Sequence, residues 1–135
     1  MIVLDASAML EWLLRTPTGL QIRARVLPSI DEVYAPHLLY LETVQSLRKS
    51  VRAQTVSVIR AQEALQDLLD FPLNLYEHQP FLRRIWALRD NATAYDAVYL
   101  ALAELLPATL LTCDSKLAST PGHSAKIEWF GTHKV

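Results

Sequence analysis

Glycine is scarce. Gly19, Gly122 and Gly131 are the only three in 135 residues. That excludes the G-x-G-x-x-G turn of dinucleotide-binding proteins and the phosphate-cradling loop of P-loop enzymes. A G-x-S-x-G elbow for a serine hydrolase is missing as well. Cys113 is the single cysteine, so no internal disulfide can close. His37, His78, His123 and His133 are scattered without zinc-ligand spacing. No apolar run approaches the roughly 20 residues of a membrane span. Nothing basic precedes the apolar N-terminus, and Asp5 interrupts it early, which argues against a signal peptide. A reducing cytoplasm is the expected compartment. An excess of one charge is also lacking, since 13 Lys and Arg oppose 14 Asp and Glu, for a net charge of −1. The distribution is uneven, however. Residues 1–60 hold seven basic residues against five acids, and residues 61–105 hold three against seven. A local basic face of the kind nucleic-acid binding needs is therefore allowed, although such a split is more commonly a solvated surface.

What is present is an ample apolar fraction, 51 % of residues, enough for one folded domain spanning 1–135. Met1-Ile-Val-Leu reads as a buried parallel strand ending at Asp5. Ser7 is the expected cap of a helix from Ala8 to Arg15, broken by Thr16-Pro17, and a second helix fits Gly19 to Leu27. Glu32 to Ala35 reads as a strand closed by Pro36. His37 to Arg52 has helical spacing. His37, Tyr40, Val44, Leu47 and Val51 form its expected core stripe, and Glu42, Gln45, Ser46 and Lys49 a polar one. Thr55 to Asp70 is a further helix, with Val58, Ala61, Leu65, Leu68 and Leu69 expected inward. Leu73 to Tyr76 reads as a short strand, and Pro80 opens a helix to about Arg89. A last strand is expected near Lys126 to Phe130, after a loop around Ser119 to Ser124. Strands alternating with helices imply an α/β layered fold with a mainly parallel sheet.

The most telling stretch is Asn91 to Asp114. From Ala92 to Ala103 it is almost wholly apolar, and Asp96 is its one charge. Such a helix belongs in the core, where a carboxylate is costly unless paired, hydrogen-bonded or holding a metal. Pro107 stops the helix, and Thr109 to Cys113 reads as a strand ending at Asp114. Each acid has a bland explanation. Thr93 with Asp96 is also a capping box, and an Asp after a strand is often a turn residue. Ligands of parallel sheets lie beyond the carboxyl ends of the strands, however. Asp5 and Asp114 reach that edge, Asp96 begins a helix entered from it, and Glu42 lies about one and a half turns into the helix after the strand Val33–Ala35. Four carboxylates in one cleft repel one another unless a cation is present, and an all-oxygen set favours Mg²⁺ or Mn²⁺. Phosphodiester hydrolysis is the natural chemistry of such a site. Cys113 reads as a small strand residue, His37 as packed or capping, and Arg83, Arg84 and Arg89 as solvated helix charges.

Four blocks carry a resemblance: Ile2-Val-Leu-Asp-Ala-Ser-Ala8, Glu42 with Leu47-Arg48, Ala94-Tyr-Asp-Ala-Val-Tyr-Leu-Ala-Leu-Ala-Glu104, and Leu111-Thr-Cys-Asp-Ser-Lys-Leu-Ala118. In order and over essentially the full length, the chain resembles PIN-domain ribonucleases of the VapC toxin type. The resemblance implies a three-layer α/β/α sandwich around a parallel sheet of about five strands. It also implies Mg²⁺- or Mn²⁺-dependent endonucleolytic cleavage of RNA. Asp5, Glu42, Asp96 and Asp114 would be the acidic quartet, with Asp5 and Asp96 as direct metal ligands and Glu42 and Asp114 acting directly or through water. Ser7 and Thr112 would orient water or metal ligands, and Arg48 and Lys49 would face the RNA backbone. A small antitoxin that blocks the cleft and a homodimeric assembly are also implied. One departure is Gln45, where the family often has Asn. Two other readings stand beside this one. A receiver-type Mg²⁺-binding signalling domain, with Lys116 near its acids, would want a phosphoacceptor after a middle strand, and neither Tyr34-Ala-Pro36 nor Leu75-Tyr-Glu77 offers an Asp. A catalytically inert RNA- or protein-binding module of the same fold is the other, against which stands the presence of all four acids.

Overall fold

The computed structural model describes residues 1–131, so His133 lies outside them. Strand β1 (Ile2–Leu4) is buried along its whole length, as its unbroken apolar run requires of a central strand. It pairs in parallel with β2 (Val33–Pro36) on one side and β4 (Thr109–Thr112) on the other. Strand β3 (Asn74–Tyr76) joins β2, and β5 (Lys126–Trp129) joins β4, giving the order β3-β2-β1-β4-β5 with every pairing parallel. Alternation along the strands divides the core in two. Ile2, Leu4 and Leu111 face a cluster shared with helices α1 (Ala6–Leu14), α2 (Pro17–Val26), α3 (Leu38–Arg52) and α4 (Val58–Asp70). Val3 and Leu110 face the opposite cluster, built with α6 (Ala94–Leu105), Leu88 and Leu117. The result is the expected three-layer α/β/α sandwich with five strands.

Helix α6 is buried from Ala97 to Ala103 without a break. Thr93 caps it by accepting from the Asp96 N–H at 3.1 Å. Several local expectations are corrected. The cap of α1 is Asp5, not Ser7, and the helix therefore starts two residues earlier, at Ala6. On α3 the buried stripe is Leu39, Thr43 and Leu47, whereas Val44 and His37 are exposed. His37 makes no capping bond. The His78 Nε2 accepts the Leu38 N–H instead, at 3.1 Å. On α4 only Ala64 and Leu68 are buried, and Val58, Leu65 and Leu69 face out. This helix packs chiefly on α1 and α3, which takes only one narrow side. The helix expected from Pro80 divides into a tight 3-10 turn (Gln79–Phe81) and α5 (Leu82–Ala87). Arg84 is not a free surface charge. Its fork grips Glu104 at 2.8 and 2.9 Å, and Ser124 donates to the same carboxylate from its N–H and hydroxyl. This joins α5, α6 and the loop before β5 and drives the Glu104 carboxyl down to about 2, mainly through Arg84.

The Thr43 hydroxyl is fully buried and has no hydrogen-bond partner among the described residues. Valine has nearly the same shape and no polar group to desolvate. Thr43→Val is thus expected to stabilise the fold by about 1–2 kcal/mol. An unchanged or lowered midpoint in chemical denaturation would show that the hydroxyl is satisfied after all.

Candidate active site

A cleft of about 720 Å³ opens at the carboxyl edge of the sheet, between the start of α1, the stretch of α3 from Leu38 to Lys49 and the start of α6. Parallel pairing sets the ends of β1 and β4 side by side, and there the chain places Asp5 and Asp114. Glu42 enters from α3 and Asp96 from the first turn of α6, so all four acids line this one cleft.

Asp5 is the anchor and is 4 % exposed. Its Oδ1 accepts from the Ser7 hydroxyl at 2.7 Å and from the Ala8 N–H at 2.9 Å. Its Oδ2 accepts from the Thr112 hydroxyl at 2.5 Å. The same hydroxyls are themselves held: Ser7 Oγ accepts from the Cys113 N–H and Thr112 Oγ1 from the Asp114 N–H, each at 2.9 Å. Ser7 and Thr112 thus fix the Asp5 carboxylate across the β1–β4 seam. With both hydroxyl protons spent on Asp5, these residues set the acid's orientation. Burial outweighs these donors and pushes the Asp5 carboxyl up to about 6, with Asp114 adding repulsion.

Asp114 also caps a helix. Its Oδ1 accepts from the Lys116 and Leu117 N–H groups at the start of α7 (Ser115–Ala118), a single turn too short to show a periodic pattern in sequence. Asp96 behaves otherwise: only the Thr93 half of the capping box forms, and the Asp96 carboxylate makes no hydrogen bond among the described residues. Half-buried, it is raised by desolvation and then by Asp114, with Lys116 opposing. Glu42 is raised by desolvation, partly offset by the Tyr99 hydroxyl, which donates to its Oε1 at 2.6 Å, and is raised further by Asp5 and Asp96. Asp5, Glu42 and Asp96 are each raised by another of the four acids, so the cleft concentrates negative charge that Lys116 opposes at Asp96 alone.

Arg48 is placed elsewhere. It lies on α3 in an apolar groove of about 440 Å³ facing α4, among Val44, Val51, Val58 and Leu65. Six residues beyond Glu42 is about 120° around a helix, whereas the seven to Lys49 complete nearly two turns. Lys49, Gln45 and Ser46 accordingly line the cleft with Glu42, as the polar stripe indicates. Tyr99 and Tyr95 went unnoticed in the sequence. The signal was there, since Tyr99 follows Asp96 by three residues and so shares its helix face. Cys113 borders the cleft, but burial and the nearby acids push its thiol up to about 12, which leaves no thiolate for nucleophilic work.

Residues 2–122 match the PIN domain family. Ribonuclease VapC12 of Mycobacterium tuberculosis is 38 % identical over 128 residues, covering 95 % of this chain and 98 % of that protein. The chain belongs to the PIN-domain family and is a VapC-type ribonuclease. Solved structures share the fold. PAE2754 from Pyrobaculum aerophilum has a TM-score of 0.67 at 25 % identity, covering 93 % of this chain and 81 % of that one. VapBC2 from Rickettsia felis, bound to a DNA fragment from its promoter, has a TM-score of 0.67 at 14 % identity, covering 95 % and 98 %. The VapC-type assignment makes this an endoribonuclease of the toxin class, and sets the receiver-type reading aside.

PIN-domain ribonucleases are in general divalent-metal dependent, and the cleft suits such an ion. Its acids are oxygen donors only, and none of the four forms an ion pair among the described residues. Among the described residues no three carboxylate, imidazole or thiol groups stand close enough to cage an ion unaided.

Proposed function

We propose that Asp5, Glu42, Asp96 and Asp114 are the catalytic and metal-holding residues of this VapC-type ribonuclease, with Mg²⁺ or Mn²⁺ as the cation. The observation that carries this reading is the convergence of four carboxylates from four separate segments on one cleft, three of them with raised pKa. A divalent cation bound there would activate a water and neutralise charge on the scissile phosphate. The residues of the chain do the rest. Asp5, held by Ser7, Thr112 and the α1 N-terminus, presents a carboxylate of fixed orientation. Asp96, half-buried and without a hydrogen bond to its carboxylate among the described residues, would be a second ligand. Tyr99 holds Glu42 through one carboxylate oxygen, and as a residue of the cleft lining Glu42 would take a proton from the attacking water. Asp114 adds charge from the end of β4.

The whole chain, 1–135, would act as one catalytic unit on RNA in the cytoplasm, inhibited by a cognate antitoxin protein. The R. felis structure, solved as a VapBC complex, supports such a partner, and no described helix is long and apolar enough to cross a membrane. Homodimerisation belongs to the same proposal and is read by light scattering. The deciding experiment is cleavage of a mixed structured RNA pool with Mg²⁺, Mn²⁺ or EDTA. Cutting should need the metal and disappear in Asp96→Asn. Cutting in EDTA, or full activity in that variant, would overturn the proposal.

A further inference from the structure

The two ends of the cleft differ in chemistry. Along α3, Leu38 and Leu41 come first, then Glu42, then Gln45, Ser46 and Lys49, all lining the cleft. At about 1.5 Å per residue, Leu41 and Lys49 lie about 12 Å apart along the helix axis. One end of this wall is therefore apolar and the other carries a cation. Lys49 forms no ion pair among the described residues, although the cleft is rich in acids.

On the facing wall, α6 begins with two tyrosine rings one turn apart and unlike in environment. Tyr99 is buried and its hydroxyl is bound to Glu42. Tyr95, directly before Asp96, is 63 % exposed, lines the cleft, and its hydroxyl makes no hydrogen bond among the described residues. A tyrosine so exposed at the first turn of the most deeply buried helix has no packing role. Its position beside a metal-holding acid puts an open aromatic face next to the place where a scissile phosphate would sit. A nucleotide carries its base within reach of its own phosphate, and every base has a face that stacks on an aromatic ring.

We propose that Tyr95 is a substrate-binding residue whose ring stacks on a base flanking the scissile phosphate, while Lys49 holds a backbone phosphate further along the same strand. This rests on the RNA-hydrolase reading above. It adds two contacts that sort by chemistry. Stacking needs a base that is free of a partner strand, and the Lys49 contact needs only charge.

The test is fluorescence anisotropy with a labelled random-sequence single-stranded RNA 12-mer, using Ca²⁺ as the divalent cation, paired with steady-state cleavage in Mg²⁺. Tyr95→Ala should weaken binding about tenfold, within the range for loss of one base stack. Its KM should rise by a similar factor with kcat within about threefold of the parent, since uniform binding is what is lost. Tyr95→Phe should bind within about twofold of the parent. Tyr95→Leu, which keeps bulk without an aromatic face, should behave as the Ala variant. Lys49→Ala should weaken binding and reduce the salt slope by about 1. A parent that binds and cuts RNA while Tyr95→Ala matches it would overturn this inference alone. So would a Tyr95→Phe variant as weak as Tyr95→Ala, which would assign the contact to the hydroxyl. A parent that neither binds nor cuts RNA would overturn the underlying reading and this inference with it.

Discussion

Asp5→Asn is expected to lower RNA cleavage by about a thousandfold or more, and yet to raise the melting temperature of the metal-free protein at pH 7.5. The loss follows from removing the carboxylate proposed to hold the cation, which three hydrogen bonds fix in the cleft. A thousandfold is about 4 kcal/mol of barrier, a modest demand on a cation-binding carboxylate. The gain in stability follows from the Asp5 carboxyl, which burial pushes up to about 6 from an ordinary 3.8. Between those two pH values the folded state binds more protons than the unfolded one. Stability from this group is therefore fully present below about pH 4 and is lost as the pH rises through about 6. At pH 7.5 the ionised, metal-free carboxylate costs on the order of 3 kcal/mol relative to its neutral form. Asparagine keeps the shape and one acceptor but cannot ionise. Its advantage should shrink toward pH 4.5 and there reverse, because its amide faces the Thr112 or Ser7 hydroxyl donor with the wrong polarity. Adding Mg²⁺ should raise the melting temperature of the parent and leave the variant nearly unmoved. Thermal melts at pH 4.5 and 7.5, with and without Mg²⁺, read all four corners. A metal-free variant that melts below the parent at pH 7.5 would refute the electrostatic account, and one that still cuts RNA would refute the role of Asp5.

Much of this site was legible because it depends on topology. A short apolar strand followed by Asp, met twice, places two acids on the same sheet edge once the strands are parallel and adjacent. An apolar helix with one charge in its first turn places a third. The polar stripe from Glu42 to Lys49 follows from helical geometry alone. What escaped reading depends on contacts between distant segments. Ser7 looks like a cap until Thr112, 105 residues away, shows its hydroxyl engaged with the true cap, Asp5. Arg48 looks like a companion of Lys49 in the cleft, but neighbours in sequence point about 100° apart on a helix, and Arg48 lines the groove facing α4. The inward face of α4 is not legible because its many apolar residues outnumber the two, Ala64 and Leu68, that it buries. Arg84 gave no sign of its grip on Glu104, which lies one helix and one turn away.

Gly19→Ala is the substitution for which local propensity and tertiary packing make opposite predictions. Gly19 lies in the first turn of α2, buried against α1, and its N–H is held by the Thr16 side chain at 3.0 Å. By propensity, replacing a helical glycine with alanine should stabilise by up to about 1 kcal/mol. A methyl group at Gly19, however, would sit inside contact distance of the Glu11 carbonyl and the Trp12 N–H, both backbone groups of α1. Neither can swing aside as a side-chain tip could, so the two helices must separate. Forced overpacking of this kind costs about 1–3 kcal/mol, and a backbone-to-backbone clash belongs at the top of that range or above it. About 3 kcal/mol in a domain of this size is a drop of roughly 10 °C in melting temperature. Activity should fall as well, because α1 carries Ala6, Ser7, Leu10 and Glu11 along one wall of the cleft and begins at Asp5. Gln21→Ala, exposed two residues further on, is the matched control and should change stability by no more than about 0.5 kcal/mol. If Gly19→Ala instead melts at or above the parent, α1 and α2 stand further apart in solution than this packing requires, and the wall of the cleft that α1 forms is looser with them.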